Sequence, residues 1–124
     1  MNGILFNVTD TSSISRSAGV YRIAHFLREH GADIEVVDWA NHWSLTELQE
    51  LFVSRYNSKL KYIGFSHLFS TWSEVLEDFC KWVKENYPTV KILSGSSSKP
   101  WFKSKYIDFY VAGFGEYAVL ELVK

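Results

Sequence analysis

Two stretches of the sequence decide the fold: Tyr62-Ile63-Gly64-Phe65, which ends in Ser66-His67-Leu68, and Val90-Lys91-Ile92-Leu93, which leads to Gly95-Ser96-Ser97-Ser98. Each is a short, mostly apolar run that stops at small or polar residues, a pattern typical of a buried strand followed by a turn. In a parallel sheet, the carboxyl ends of neighbouring strands share one edge and form a crevice there. We therefore expect Ser66 and Gly95 to border one ligand site.

Strand and helix patterns alternate along the rest of the chain. The predicted strands are residues 3–8, 34–38, 61–66, 90–94 and 107–112. The predicted helices run from 17 to a cap at 31, from 44 to about 56, from 71 to before Pro88, and from 117 to 124; residues 99–105 leave room for one helical turn. Each strand is thus separated from the next by a helix or a short connection.

The helix boundaries rest on particular residues. Gly31 follows the periodic apolar positions of the first helix, where a left-handed cap is expected. Ser44 with Glu47, and Thr71 with Glu74, have the spacing of a capping box. These signals fix where the helices begin and end.

Alternation of strands and helices predicts an α/β fold with right-handed crossovers. We expect a three-layer, Rossmann-like (flavodoxin-like) architecture with a five-stranded, mostly parallel sheet in the order 2-1-3-4-5. In that order the crevice lies outside the carboxyl ends of strands one, three and four, and strand five borders it.

Composition limits the class of protein. The chain has 124 residues, 47% hydrophobic and 22% charged, with a formal charge of −1, so we expect a single domain over residues 1–124 that does not bind nucleic acid. The single Cys80 can form neither an intramolecular disulfide nor a metal cluster by itself. No apolar run has the roughly 20 residues of a membrane span. A cytoplasmic protein without membrane contact is expected.

Four predicted loops converge on the carboxyl edge: residues 9–17, 66–71, 95–99 and 113–116. Hydroxyl groups and glycines dominate them, which lets the backbone approach a bulky cofactor and donate hydrogen bonds without adding charge. The same residue types also end strands and cap helices in many proteins. The candidate cofactor-binding residues are Thr9, Asp10, Thr11, Ser12, Ser13, Ser66, His67, Leu68, Ser70, Thr71, Gly95, Ser96, Ser97, Gly113, Phe114, Gly115 and Glu116.

Over nearly all of its length the chain resembles the cobalamin (vitamin B12)-binding domains at the N-terminus of B12-dependent radical SAM proteins. The resemblance lies in the order and spacing of these segments: Ile4-Leu5-Phe6-Asn7, Ala18-Gly19-Val20-Tyr21-Arg22-Ile23-Ala24, Gly31-Ala32-Asp33-Ile34-Glu35-Val36-Val37-Asp38, Ile63-Gly64-Phe65-Ser66, and Asp108-Phe109-Tyr110-Val111-Ala112-Gly113-Phe114-Gly115-Glu116. It implies a corrinoid bound at the strand edge.

Three motifs of the wider B12 family can be compared with this sequence. Ser66-His67-Leu68 matches the family's Ser-x-Leu after strand three, and Gly95-Ser96 matches its Gly-Gly after strand four with one substitution. The family's Asp-x-His-x-x-Gly motif, which supplies the lower cobalt ligand, is absent because Asp10-Thr11-Ser12 has no histidine at the matching place. This absence agrees with the radical SAM branch, and no residue of the chain is expected to ligate metal.

The resemblance also implies a role for each loop. The nucleotide tail of cobalamin would run between strands one and three, lined by Ser66 and Leu68, while Gly95 and Ser96 would let the tail or corrin approach the backbone. Residues 9–13 would contact the corrin or the tail, and residues 113–116 would close the rim.

A catalytic partner domain, in cis or in trans, is a further implication. Radical SAM chemistry needs three cysteines that hold a [4Fe–4S] cluster beside S-adenosylmethionine, and Cys80 alone cannot do so. We expect no catalytic residue in this chain and no radical SAM domain, so that it is either an N-terminal fragment or a stand-alone relative. Together with such a catalytic domain it would form part of a B12-dependent radical SAM enzyme.

Two alternatives stay open at the sequence level, and one is excluded. The first is an FMN-binding, flavodoxin-like electron carrier, with Trp39, Trp43 or Trp101 beside the flavin. The second is an interaction domain that keeps the fold without a cofactor. A phosphorylated receiver domain is excluded because no aspartate ends strand three.

Several other residues are interpreted as structural. We expect packing roles for Trp72, Trp82 and the aromatic residues around His42, and surface or boundary positions for His25 and His30. Trp101 and Phe102 are candidates for an exposed aromatic patch.

Overall fold

The structure, a computed structural model, describes residues 2–9, 18–37, 40, 43–68, 74–96 and 104–112. Within them, five strands alternate with three helices. The elements are β1 (Gly3–Thr9), α1 (Ala18–Glu29), β2 (Ile34–Val37), α2 (Leu45–Arg55), β3 (Tyr62–Leu68), α3 (Glu74–Asn86), β4 (Lys91–Ser96) and β5 (Phe109–Ala112).

The strands form one sheet in the order β2-β1-β3-β4-β5, and every neighbouring pair is parallel. The predicted α/β class, the flavodoxin-like fold and the strand order are confirmed. Parallel pairing requires each strand to begin at the same edge, so all five carboxyl ends lie at the opposite edge. This is the edge at which we expected the ligand site.

Helices cover both faces of the sheet, as the continuous burial of residues 3–6 and 62–65 requires. On one face, Phe6, Ile63 and Ile92 pack with buried residues of α2 and α3. On the other, Leu5 and Leu93 belong to a smaller cluster with Ala24, Leu27, Ile34 and Tyr62. We call these the α3 face and the α1 face.

The helix-boundary predictions can be checked at three places. Ser44 Oγ accepts from Glu47 N at 3.1 Å and Ser44 N donates to Glu47 Oε1 at 3.0 Å, so the predicted capping box is confirmed. Gly31 has φ +89° and closes α1 in the left-handed conformation that glycine adopts without strain. The helix before Pro88 ends at Asn86. Local side-chain chemistry therefore sets these ends as the sequence indicated.

The carboxyl ends of three strands were predicted too short. β1 runs to Thr9 and β3 to Leu68, and Gly95 with Ser96 are the last two residues of β4 and not a turn. Each of these residues pairs with a neighbouring strand. Ladder hydrogen bonds on both sides override the local preference of serine and glycine for turns.

The start of β5 was predicted too early. The backbone N–H of Asp108 donates to Ile92 O at 2.8 Å, and Ile92 N donates to Asp108 Oδ2 at 2.8 Å. The side chain thus replaces a backbone acceptor, and regular pairing begins only at Phe109. Residues 104–107 before it form a turn, closed by a bond from Ile107 N to Ser104 O.

Some predictions fall on residues that the structure does not describe: the helix over 117–124, Asp38 at the end of β2, the Thr71 cap and residues 99–103. No helix in the described part of the chain is long and apolar enough to cross a membrane.

Candidate functional site

The site is built by the register of four neighbouring strands at the carboxyl edge. Asn7 of β1 is level with Ser66 of β3, Ser66 with Gly95 of β4, and Gly95 with Val111 of β5. We call Asn7, Ser66 and Gly95 the polar row; Val111 beside them on β5 is apolar. One residue further along, Val8, His67, Ser96 and Ala112 are level with one another, followed by Thr9 beside Leu68. The two stretches that end at Ser66-His67-Leu68 and at Gly95-Ser96 are therefore neighbours in the sheet.

Strand alternation assigns the polar row to a face. Leu5 is level with Gly64, Leu93 and Phe109, and Leu5 and Leu93 lie on the α1 face. The polar row is two residues further along each strand and so belongs to the same face. On the three central strands, the residues at these positions thus change from leucine and glycine to asparagine, serine and glycine on approaching the edge, whereas β5 stays apolar with Phe109 and Val111. This change is confined to the end of the sheet where the crevice is expected.

The apolar row beneath the polar row is closely packed. A Cβ atom added at Gly64 would lie 2.9 Å from Leu5 Cδ2 and 3.9 Å from Leu93 Cβ. Leu5 and Leu93 are 6% and 4% exposed, whereas Gly95 in the polar row is half-buried. The apolar row therefore forms a closed floor, and Gly95 beyond it is more accessible.

The opposite face is packed with aromatic rings up to Phe65 of β3. Phe6 and Phe65 stack with their ring centroids 5.1 Å apart, and Phe79 of α3 meets Phe6 edge-on at 5.7 Å. Ser94, level with Phe65, is buried. This face is filled by packed rings, so the α1 face is the better place for a ligand.

The predicted site residues divide into two groups. The structure brings Thr9, Ser66, His67, Leu68, Gly95 and Ser96 together on adjacent strands at one edge. The others lie outside the described residues: Asp10, Thr11, Ser12, Ser13, Ser70, Thr71, Ser97, Gly113, Phe114, Gly115 and Glu116. For these, the assignment to the site stays a prediction.

Asn7 was missed as a site candidate. The signal was present in the sequence, because Asn7 is an amide inside the apolar run of β1 and has the same strand parity as Thr9. Its register with Ser66 could not be read from the sequence, since pairing depends on how two distant segments align.

The aromatic and histidine residues agree with structural roles where they are described. His25 lies on the surface beside Glu29 at 3.1 Å, and the exposed His30 contacts Phe26 O at 2.9 Å. Trp43 and Trp82 pack against the core of the α3 face. His42, Trp39, Trp72, Trp101 and Phe102 lie outside the described residues.

Cys80 is buried in α3, away from the polar row. Burial raises the pKa of its thiol well above the ordinary value, and the negative charge of Glu77 adds to the effect. A thiol held neutral in this way is a poor nucleophile and metal ligand. The described residues contain no cluster of three or more histidine, cysteine or acidic side chains that could hold a metal ion.

A second polar cluster, absent from the sequence predictions, surrounds Ser104. Ser104 is 8% exposed, and its hydroxyl donates to Glu77 Oε1 in the first turn of α3. Ser104 N donates to Tyr110 Oη at 2.7 Å, and Tyr110 Oη donates to Ser104 O at 3.3 Å. The cluster joins α3, the segment before β5, and β5 itself.

Solved structures with a similar fold include two corrinoid-related proteins. The Methanosarcina barkeri monomethylamine corrinoid protein superimposes with a TM-score of 0.67 at 16% identity, covering 97% of this chain and 57% of that one. A cobalamin-binding protein from Desulfitobacterium hafniense DCB-2 gives 0.66 at 7% identity, covering 99% and 59%. The chain thus spans less than two thirds of either protein.

Receiver-type proteins share the same fold. A response regulator from Thermotoga maritima, in complex with Mg(2+)-BeF, superimposes with a TM-score of 0.58 at 15% identity and covers 100% of both chains. No protein-family model matches the sequence, and a search of curated proteins finds no match. At these identities the likenesses establish the flavodoxin-like fold and leave function to be argued from the site.

Proposed function

We propose that this chain is a cobalamin-binding module that positions a corrinoid at the carboxyl edge of its sheet. The observation that carries the proposal is the polar row. Asn7, Ser66 and Gly95 occupy three central strands of a sheet whose preceding row is apolar and closed. An asparagine, a serine and a glycine at such positions bury less apolar surface than larger apolar side chains would. A ligand bound there would restore the lost packing.

The residue types of the site fit such a group. A cobalamin tail carries amide, ribose and phosphate groups, which an amide, a hydroxyl and exposed backbone can bind without a charged side chain. Ser66 and Leu68 would line the tail, and Gly95 with Ser96 would let it approach the backbone of β4. The alkyl or radical chemistry would belong to the cofactor, and the protein would bind and orient it.

The structural comparisons support the proposal at the level of the fold. Two of the similar structures are a corrinoid protein and a cobalamin-binding protein, so the fold is one on which corrinoid sites occur. Similar receiver domains show that it also serves other functions. The residues of the polar row therefore carry the proposal of cobalamin.

The receiver function does not fit this chain. Phosphorylation in that class requires an aspartate at the end of the third strand, and β3 ends in Ser66-His67-Leu68. The sequence holds no acidic residue from Lys61 to Ser73. This chain thus has the fold of the receiver proteins but lacks the aspartate at the end of β3 that their phosphorylation requires.

The proposal extends to a partner. The chain has a single cysteine, whereas a [4Fe–4S] cluster for radical SAM chemistry needs three. A radical SAM domain, in cis or in trans, would supply that cluster and S-adenosylmethionine. It would meet the exposed face of the corrin. The resemblance of segments such as Ile63-Gly64-Phe65-Ser66 to that branch is what supports this pairing. Catalysis would then reside in the assembled system and not in this domain.

The proposal is tested by titrating the purified chain with hydroxocobalamin and methylcobalamin while following the corrin absorption bands, with FMN as the parallel ligand. We expect a saturable change with cobalamin below about 1 mM, the weak end of specific binding, and none with FMN. A change with FMN alone would support the electron carrier. No change with either ligand would contradict the proposal and favour a cofactor-free interaction domain.

Two variants would locate the site. Gly95→Trp and Ser66→Trp place a large ring in the polar row, and each should weaken cobalamin binding more than about ten-fold by steric exclusion. Ser54→Trp, on the exposed surface near the end of α2, is the matched control and should bind like the unaltered protein. Equal binding by all three variants would place the corrinoid elsewhere.

A further inference from the structure

The floor beneath the polar row is closed over β3 by a side chain that comes from β1. Gly64 of β3 is level with Leu5 of β1 on one side and with Leu93 of β4 on the other. Gly64 is buried although it has no side chain, and a Cβ atom there would lie 2.9 Å from Leu5 Cδ2. Since Leu93 Cβ would be farther away, at 3.9 Å, the end of the Leu5 side chain fills the space above Gly64.

Leu5 is packed on its helix side as well. It shares a buried cluster with Ala24 and Leu27 of α1, which are both fully buried. Toward the carboxyl edge the surroundings change, because the next residues on the same face are Ser66 on β3 and the half-buried Gly95 on β4. A space opened at Leu5 would therefore lie under α1 and adjoin the polar row.

A cobalamin tail changes its chemistry along its length. Next to the corrin it carries amide, phosphate and ribose groups, and it ends in a flat, mostly apolar aromatic base. The polar row suits the first part, whereas the base would need apolar space below that row. Leu5 and Leu93 occupy this space, and moving a buried leucine aside would forfeit its own packing contacts. The base is therefore kept at or above the polar row.

We infer that Leu5 is the specificity-determining residue of the proposed site. By filling the space above Gly64, it sets the depth of the site and limits how much of the nucleotide tail is bound. The inference rests on the proposed function. It makes the corrin and the upper part of the tail the main groups that the chain recognises. Corrinoids with a different lower base, or with none, should accordingly bind almost as well as cobalamin.

Titrating the full chain with hydroxocobalamin and with hydroxocobinamide, which has the same corrin but no nucleotide, tests the inference. We expect the two dissociation constants of the unaltered protein to agree within about three-fold. Leu5→Ala opens the space above Gly64, so the base can bury apolar surface there. Cobalamin binding should become about five-fold tighter, while cobinamide binding should change by less than about two-fold.

Two variants control for the loss of packing. Ile4→Ala removes as many carbon atoms from the neighbouring residue of β1, which is fully buried on the α3 face. It should leave the ratio of the two dissociation constants unchanged, because its cavity opens away from the polar row. In the double variant Leu5→Ala/Gly64→Val, the valine returns the lost carbon atoms to the same space from β3. The ratio should then return to that of the unaltered protein.

Urea unfolding shows which variants are folded under the titration conditions, and Leu5→Val replaces Leu5→Ala if the latter is unfolded. Tighter binding by a less stable variant cannot come from general destabilisation. Two outcomes overturn the inference and leave the proposed function standing: a preference of the unaltered protein for cobalamin of about ten-fold or more, or an unchanged ratio in Leu5→Ala. If the unaltered chain binds neither corrinoid, both fall.

Discussion

At the scale of single residues, the contact between Gly3 and Tyr62 decides how the beginning of the sheet packs. The two residues are level on β1 and β3, and a Cβ atom at Gly3 would lie 2.3 Å from Tyr62 Cε2. The ring of Tyr62 therefore occupies the space that a side chain on β1 would need. Only glycine leaves that space free.

Gly3→Ala should lower the free energy of unfolding by about 1–3 kcal/mol, the usual cost of overpacking a core. Urea denaturation measures the change. Combining it with Tyr62→Leu should remove most of the additional cost, because a smaller side chain no longer meets the new methyl group. Strictly additive effects in the double variant would contradict this explanation.

The hydroxyl of Tyr62 is a separate case. It is buried with no hydrogen-bond partner among the described residues, and burial raises the pKa of Tyr62 to about 12 from an ordinary value of 10.0. Between these pKa values the unfolded chain loses the phenolic proton and the folded chain keeps it. The contribution of this group to the free energy of unfolding is therefore fully present below pH 10 and is lost as the pH rises toward 12.

Tyr62→Phe should therefore be neutral or slightly stabilising at pH 8, since it removes a buried polar group without a partner. At pH 11 the variant should be more stable than the unaltered protein by about 1 kcal/mol beyond any difference at pH 8. Urea unfolding at both pH values tests this. A difference that does not change with pH would show that the phenol is hydrated or bonded in the folded state.

At the scale of the secondary-structure elements, helices and strands obey different rules in this chain. The ends of α1 and α2 follow from residues within the same turn, Gly31 and the Ser44–Glu47 pair. The ends of β3 and β4 depend instead on pairing partners far away in sequence. Local signals therefore located helix ends well and strand ends poorly.

Ser44→Ala should destabilise the protein by about 1 kcal/mol, because the N-cap hydroxyl that accepts from Glu47 N is lost. Ser54→Ala is the matched control. Ser54 is an exposed serine near the end of α2 whose hydroxyl donates to Leu51 O and accepts from Arg55 Nη1. Thermal or urea unfolding should show little change for the control, and similar losses in both variants would argue against capping.

At the scale of the whole molecule, the α3 face forms a continuous aromatic core. Phe79 lies 6.1 Å from Trp82, and Phe52 lies 5.7 Å from Trp82 and 4.8 Å from Tyr87, measured between ring centroids. These contacts tie α2 and α3 to each other and to the sheet beneath. Cys80 is fully buried within this core.

Cys80 should consequently report opening of the whole core. Its reaction with iodoacetamide in the native protein should be at least about 100-fold slower than in urea-unfolded protein, because the thiol is both inaccessible and protonated. The rate should rise with urea along the global unfolding curve. A rate within a few-fold of the unfolded protein would instead show that α3 opens locally.

The sequence by itself determined the alternation of strands and helices, the strand order, two helix caps and the six candidate residues that meet at the carboxyl edge. These follow from period, capping chemistry and the few topologies open to parallel strands. Only the tertiary structure decided that Gly95 and Ser96 belong to β4, that Asn7 joins the polar row, and that Ser104 connects α3 with β5. Register and long-range hydrogen bonds join residues distant in the chain, so no local pattern encodes them.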